Sequence, residues 1–409
     1  MNDTPHHRAR TVVCLASFFK GVEFIRECKR QGFRVVLLTK EKCKDEAWPH
    51  DCVDEFVTVP NEAATDYFVF AVTRLARTHR ITQVVALEEF DVLTAALIRE
   101  HLCLPGLTSS RARRFRDKLA MRVAARAAGI AVPDYTGVFN YEELDHFMRR
   151  TSAPWVLKPR TDVSAIGIRK LHDAEEVWRA MDELDARARF HEQSSAFLLE
   201  RFVHGGVYHV DSLVNDGQVI FAGASAYGRP PLDVAHDGGI FISHGVERET
   251  DEHRQLLALN QQVIEALGLA RGAAHAEFIR GADDNQLYFL EIAARVGGAY
   301  LAETLEAASG INLWREWARL ELLDDEQPYA LPATRDDYAG IALTLARQEQ
   351  PDTSAYTDPE IAYRVTKSYH AGLVVCSNDP ARVRELLHNY ARRFNTDFSA
   401  TAPPLEHAE

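Results

Sequence analysis

Over its first hundred residues this chain alternates short β-branched runs with stretches of helical period, and no other feature limits its fold as strongly. Thr11 to Ser17 (TVVCLAS) reads as a buried strand, Phe18 to Arg30 as a helix closed near Gly32, and Arg34 to Thr39 as the next strand. A short strand at Glu55 to Val59, a helix from Asp66 to Thr78, a strand at Gln83 to Leu87 and a helix from Phe90 to His101 continue the pattern. Strand, helix and strand repeated in this way predict a parallel sheet joined by right-handed crossovers. The first strand-to-helix turn is Ala16-Ser17-Phe18-Phe19-Lys20-Gly21. It lacks the G-x-G-x-x-G that brings a pyrophosphate against the backbone, so a dinucleotide site is not expected here.

After Leu104-Pro105-Gly106 the pattern changes. Ser109 or Ser110 can cap a short helix, and a second helix, Asp117 to Ala128, ends at Gly129 before Pro133. Trp155 to Pro159 and Ser164 to Lys170 read as extended, Ala174 to Leu184 as a helix and Ala196 to Phe202 as a strand. From Val207 the text is almost all strand, with Asp216-Gly217 between two alternating runs as a hairpin signal. A helix from Glu252 to Leu267 is closed by Gly268, and strands Ala273 to Ile279 and Gln286 to Ala293 follow. Strands near Ala339 to Ala346 and Gly372 to Cys376, and a helix from Pro380 to Arg392, complete the chain before a frayed tail from Thr401.

The length of 409 residues allows two or three domains with cores of their own. No run approaches the roughly 18 apolar residues of a membrane helix, and the polar Met1 to Arg10 is unlike a signal peptide, so no membrane association is expected. Lys+Arg 47 against Asp+Glu 60 gives a net charge of -13, which repels polyanions and excludes an extended nucleic-acid groove. Six cysteines, Cys14, Cys28, Cys43, Cys52, Cys103 and Cys376, form no C-x-x-C pair and fit reduced thiols in a cytoplasm.

The most informative residues are Glu277 and Glu291, each inside an otherwise apolar strand, with a polar turn that makes the two strands neighbours. Burying two carboxylates side by side costs several kcal/mol unless a cation compensates, and Mg²⁺ is such a cation. The alternative is that both lie on a solvated face. Arg295 follows four residues later, beside Val296-Gly297-Gly298, where a guanidinium can hold a phosphoryl oxygen or form a salt bridge. Lys158, between a β-rich run and Pro159, needs an anionic partner, and the loop Thr161 to Gly167 offers Ser164 and Gly167 as donors to phosphate.

The order of these features resembles the ATP-grasp superfamily from the N-terminal α/β domain to Leu320. Phe115 to Pro133 (FRDKLAMRVAARAAGIAVP) is similar to the entry into the first ATP lobe, and Trp155 to Ile168 (WVLKPRTDVSAIGI) to its lysine strand and phosphate loop. Leu198 to Val203 (LLERFV) resembles the hinge, and Glu277 with Glu291 to Gly298 (EIAARVGG) the metal and arginine strands. The resemblance implies an α/β fold with α+β lobes: a pre-ATP-grasp parallel α/β domain over 1–108, an N-lobe over 109–205, a C-lobe over 206–330 and a C-terminal α/β addition over 331–409. It implies ATP and Mg²⁺, with Mn²⁺ as an alternative ion. Lys118 and Lys158 would contact the phosphates, Ser164 and Gly167 would close over them, and Glu200 with the backbone of Phe202 and Val203 would hold the adenine edge. Glu277 and Glu291 would hold the metal, and Arg295 would stabilise the transferring phosphoryl group.

Two positions depart from the family's pattern. Ala293 stands where members often carry Asn, and Gly206-Val207-Tyr208-His209 replaces an acidic ribose ligand, leaving Tyr208, His209 or Asp211 as substitutes. Within the superfamily the segment from Glu291 to Trp314 looks most like amino-acid and dipeptide ligases of biotin-carboxylase-like outline. That implies a homodimeric carboxylate-amine ligase working through an acyl phosphate on small carboxylate and amine substrates. Biotin-dependent carboxylation and nucleotide binding without ligation are the alternatives. Gly297 and Gly298 would line the acceptor site. In the loop Tyr227 to Glu247, Arg229 could receive a carboxylate and His236 or His244 an amine proton.

Overall fold

The computed structural model describes residues 10–162, 166–187, 193–323 and 328–400, except for the side chains of 235–237. The N-terminal sheet is built from β1 (Thr11–Ala16), β2 (Arg34–Lys40), β3 (Glu55–Val59) and β4 (Ile81–Ala86). They lie in the order β3-β2-β1-β4 and all pairs are parallel, as the alternation of strand and helix requires. Helices Val22–Arg30, Thr65–Ala76 and Val92–His101 supply the crossovers. The first of these begins four residues later than its apolar pattern suggests. Ser17 donates its amide and hydroxyl to the buried Asp91, which holds the turn open, and Gly21 starts the helix at φ 79°.

The second sheet comprises β5 (Tyr135–Gly137), β6 (Trp155–Pro159), β7 (Arg169–Leu171) and β8 (Phe197–Arg201), antiparallel in the order β5-β8-β6-β7. Leu144 and Phe147 from one helix and Val177, Met181 and Leu184 from another pack on Trp155, Leu157 and Leu199 and give this lobe its own core. The strand expected over Ser164 to Lys170 is limited to Arg169–Leu171, and residues 163–165 lie outside the described residues.

The third sheet has eight strands: β9 (Gly205–Asn215), β10 (Gln218–Tyr227), β11 (Phe241–Gly245), β12 (Gly272–Gly281), β13 (Leu287–Ala293), β14 (Tyr338–Leu345), β15 (Ile361–Arg364) and β16 (His370–Ser377). Their order is β13-β12-β9-β10-β11-β14-β16-β15. The hairpin between β9 and β10 turns at Asp216 and Gly217, both with positive φ (50° and 76°), as Asp-Gly favours. The segment Tyr227 to Glu247, expected to be a loop, carries the helix Pro231–Asp237 and β11, and β11 joins β10 to β14. The strands of residues 331–400 extend the third sheet edge to edge, and their helix Pro380–Asp397 packs against β11, β14 and β16. The helix Lys118–Ala127 is likewise divided from its sequence neighbours. Met121 and Ala125 share a core with Val263, Ile264 and Ile292 of the third sheet and its long helix Asp251–Leu267.

A methyl group at Gly21 would stand 2.6 Å from Leu87 Cδ1 on a backbone that L side chains rarely adopt. Gly21→Ala should lower stability by about 1–3 kcal/mol, read as a drop of several degrees in thermal denaturation.

Candidate active site

The three sheets converge on one cavity of about 460 Å³. The second sheet contributes Val156, Lys158 and Glu200, the third Val207, Ile279, Glu277 and Glu291, and the N-terminal sheet reaches in through Glu89, just after β4. One part of the wall is apolar, with Met121, Val156, Ile166, Ile168, Val203, Leu290 and Ile292. The other carries Lys118, Lys158, Glu277, Glu291 and Arg295. An apolar slot ending in placed charges suits a ligand with a flat ring at one end and anionic groups at the other.

Lys158 points from β6 to Glu200 on the neighbouring strand β8, Nζ to Oε2 2.8 Å. The other oxygen of Glu200 accepts from Nε of the fully buried Arg122, whose Nη1 donates to the Leu290 carbonyl of β13. Burial works against the Glu200 charge, but Arg122 and Lys158 outweigh it and hold the carboxyl at about 2. Lys118 opens its helix because Asp117 caps it, accepting from the amides of Leu119 and Ala120 at 3.0 and 3.3 Å. Its Nζ donates to the Asp162 carbonyl (2.6 Å) and lies 3.2 Å from Glu291 Oε2.

Glu277 and Glu291 stand directly opposite each other on β12 and β13, and the strand register slips immediately after Glu277. Glu277 Oε1 accepts from the Tyr227 hydroxyl (2.8 Å) and faces His275 Nε2 at 3.5 Å. Burial opposes the Glu277 charge, yet His275 and Tyr227 keep its carboxyl below the ordinary range. Burial also opposes the charge on His275, but Asp211 and Glu277 overcome it and raise the ring to about 10. Oε2 of Glu277 and Oε1 of Glu291 have no protein partner among the described residues. Two carboxylates on facing strands, each with an oxygen to spare, are a hard-oxygen donor set suited to Mg²⁺ or Mn²⁺.

Arg295 is fixed from the N-terminal domain. Its Nη2 lies 2.6 Å from Glu89 Oε2, its Nη1 donates to the Val296 carbonyl, and its Nε is buried without a partner among the described residues. Arg116 takes the other Glu89 oxygen at 2.8 Å. Burial alone would raise Glu89, but Arg295 and Arg116 bring it down to about 2. Gly298 lines the cavity, whereas Gly297 faces away and packs on Asp211 and His275.

Several expected residues lie elsewhere. Ser164 is outside the described residues. Gly167, at φ 68°, has no room for a side chain, since its Cβ would lie 2.9 Å from Pro159 Cγ. Phe202 and Val203 line the cavity, but the Phe202 amide donates to the Pro154 carbonyl, so what Phe202 offers a base edge is its own carbonyl. His209 does not reach the central cavity; it binds Asp211 and Ser243 and lines a second one of about 280 Å³. Arg229 is exposed beside the Gly238 carbonyl, outside the lining. His244, bonded to the Gly245 carbonyl and held below its usual value by burial, is also outside it. His236 belongs to the helix Pro231–Asp237, and its side chain lies outside the described residues. From that segment Tyr227, Pro230 to Val234 and Phe241 form the wall instead.

Glu89, Arg122, Tyr227 and His275 were not singled out as site residues from the sequence. Glu89 had a readable signal, an acidic residue at the carboxyl end of a parallel strand, where open α/β sheets place ligands. His275 had another, since it precedes Glu277 by two residues and so shares its face of the strand. Arg122 had none, because a helical arginine reads as solvent-facing by default.

Residues 151–303 match the ATP-grasp domain family. The matched residues include Lys158, Glu277, Glu291 and Arg295. It is 24% identical over 243 residues to an L-arginine-specific L-amino acid ligase of Bacillus subtilis, covering 59% of this chain and 58% of that one. It is 28% identical over 188 residues to a D-alanine–D-alanine ligase of Verminephrobacter eiseniae, covering 43% of this chain and 53% of that one. The chain thus spans just over half the length of these curated relatives. An L-amino acid ligase structure from Bacillus licheniformis superposes with a TM-score of 0.74 at 17% identity, covering 96% of this chain and 98% of that one, which establishes the shared fold. Among the described residues no helix is long and apolar enough to cross a membrane.

Glu200, with its carboxyl lowered from 4.5 to about 2, contributes stability that is present above the higher value and lost as pH falls towards the lower. Glu200→Gln should therefore be less stable than the native chain near pH 7, with the difference in melting temperature shrinking as the pH is lowered to about 3. A difference that stays constant over that window would refute the buried ion pair.

Proposed function

We propose that this protein is an ATP- and Mg²⁺-dependent carboxylate–amine ligase that joins an amino acid or similar small carboxylate to an amine. The carrying observation is that Lys118, Lys158, Glu277, Glu291 and Arg295, scattered over nearly 180 residues of sequence, line one cavity with an apolar slot at its other end. The kinship with amino-acid and D-alanine–D-alanine ligases supports the same reaction class.

On this reading the apolar slot takes the adenine ring, and the Phe202 carbonyl can accept from its amino group. Lys118 and Lys158 meet the phosphates, drawn from carboxylates that already hold them at the cavity wall. Glu277 and Glu291 would hold a divalent cation, which would supply positive charge against the phosphate oxygens. A substrate carboxylate oxygen attacks the γ-phosphorus and ADP leaves, giving an acyl phosphate. The amine nitrogen then attacks the acyl carbon, phosphate departs and the nitrogen loses a proton. Arg295 stays charged throughout and faces the oxygens where negative charge grows, with Glu89 fixing its direction. Positioning and charge neutralisation are the protein's main contributions to such a transfer.

Incubation with ATP, Mg²⁺ and pooled amino acids should release ADP and phosphate and give a product whose mass equals two substrates less water. ADP release that requires bicarbonate and biotin would instead point to carboxylation, and nucleotide binding with no turnover across the pool would reject ligation. Arg295→Ala should cut turnover by roughly 100-fold or more and lower the melting temperature, because Glu89 loses a buried partner. Glu291→Gln should abolish turnover and weaken Mg²⁺ dependence; retained activity in either variant would refute the site.

A further inference from the structure

A buried charge beside the cavity is left unused by the proposed chemistry. Asp211, 2% exposed, sits on β9 between two histidines. Its Oδ1 lies 2.9 Å from His275 Nδ1 and its Oδ2 2.6 Å from His209 Nδ1, while His209 Nε2 reaches Ser243 Oγ at 2.7 Å. Burial opposes the Asp211 charge, but the two rings lower its carboxyl, and an ionised carboxylate can only accept. Each ring therefore carries a proton on Nδ1. The far nitrogen of His275 faces Glu277, 3.5 Å from Oε1.

The same carboxylate supports a second part of the site. A methyl group at Gly297 would stand 2.5 Å from Asp211 Oδ1 and 3.0 Å from His275 Nδ1, so the turn that follows Arg295 rests directly on the cluster. The atoms of His209, Asp211 and His275 also lie within 4.8 Å of one another, close enough for a metal ion. Both Nδ1 atoms and both carboxylate oxygens are already bonded to each other, however. That arrangement favours a support over a second ion site.

We propose that Asp211 and His275 are positioning residues that act through Glu277 and through the Gly297 turn, so that one buried carboxylate sets both the cation-holding oxygen and the direction of Arg295. This rests on the ligase reading above. Residues that orient a metal-binding side chain commonly change metal affinity 10- to 100-fold when replaced.

The test is Mn²⁺ binding to the full chain with ADP, read as the free-ion electron paramagnetic resonance signal, alongside melting temperature. Asp211→Asn and His275→Gln should each weaken Mn²⁺ binding by about tenfold or more, and Gly297→Ala, which removes no polar group, should do the same by displacing Asp211. ADP affinity without metal should stay close to that of the native chain, a split that general destabilisation would not produce. Three variants keep the proposal testable where one does not fold. Mn²⁺ affinity equal to the native value in any folded variant overturns the positioning role. Failure of the native chain itself to bind Mn²⁺ with ADP overturns the ligase reading instead.

Discussion

Glu277 and Glu291 are like charges placed directly across an antiparallel strand pair, and most of the surrounding polar structure follows from that constraint. Side chains so placed are about 5 Å apart at Cβ, and like charges there destabilise the sheet even in water. Burial makes the penalty larger. Lys118 lies 3.2 Å from Glu291, while the Tyr227 hydroxyl and the His275 ring answer Glu277 and keep its carboxyl below the ordinary range. Because both sit on strands of the largest sheet, their separation is set by the ladder rather than by a loop.

Charged side chains also fix how the three sheets meet. Arg122 lies on a helix that packs with the third sheet, yet it grips Glu200 of the second sheet and the Leu290 carbonyl of the third. Glu89 extends from the first sheet to Arg295 of the third and to Arg116 between them. Buried pairs of this kind contribute little net stability, but the loss of one partner leaves a charge stranded. Only a narrow range of lobe arrangements satisfies all of them together, and that range holds the cavity open between lysines on one side and carboxylates on the other.

Much of this was legible beforehand. The strands β1, β3, β6, β9, β12 and β13 fall close to where alternation and apolar runs put them, because each has a buried face that writes its period into the sequence. The Tyr227 to Glu247 segment was read as a loop because its glycines and prolines surround a strand of only five residues, which takes its extended form from β10 and β14 on either side. Arg229 and His244 drew attention as substrate ligands, whereas Tyr227, Pro230 to Val234 and Phe241 line the cavity. Gly297 was read as a wall of the acceptor site but serves as a point of close backbone approach to Asp211.

The sequence alone determined the order of the elements, the parallel first sheet, the Glu277–Glu291 facing pair and the lysines and arginine near it. These are local properties, written in spacing and in the high cost of an ionisable residue among apolar neighbours. Only the tertiary structure decided the partners. Glu89 meets Arg295 across 206 residues and Arg122 meets Glu200 across 78, and no local pattern says which charge will face which. A side chain's period reports which face it occupies, while the charge opposite that face depends on how separate sheets pack.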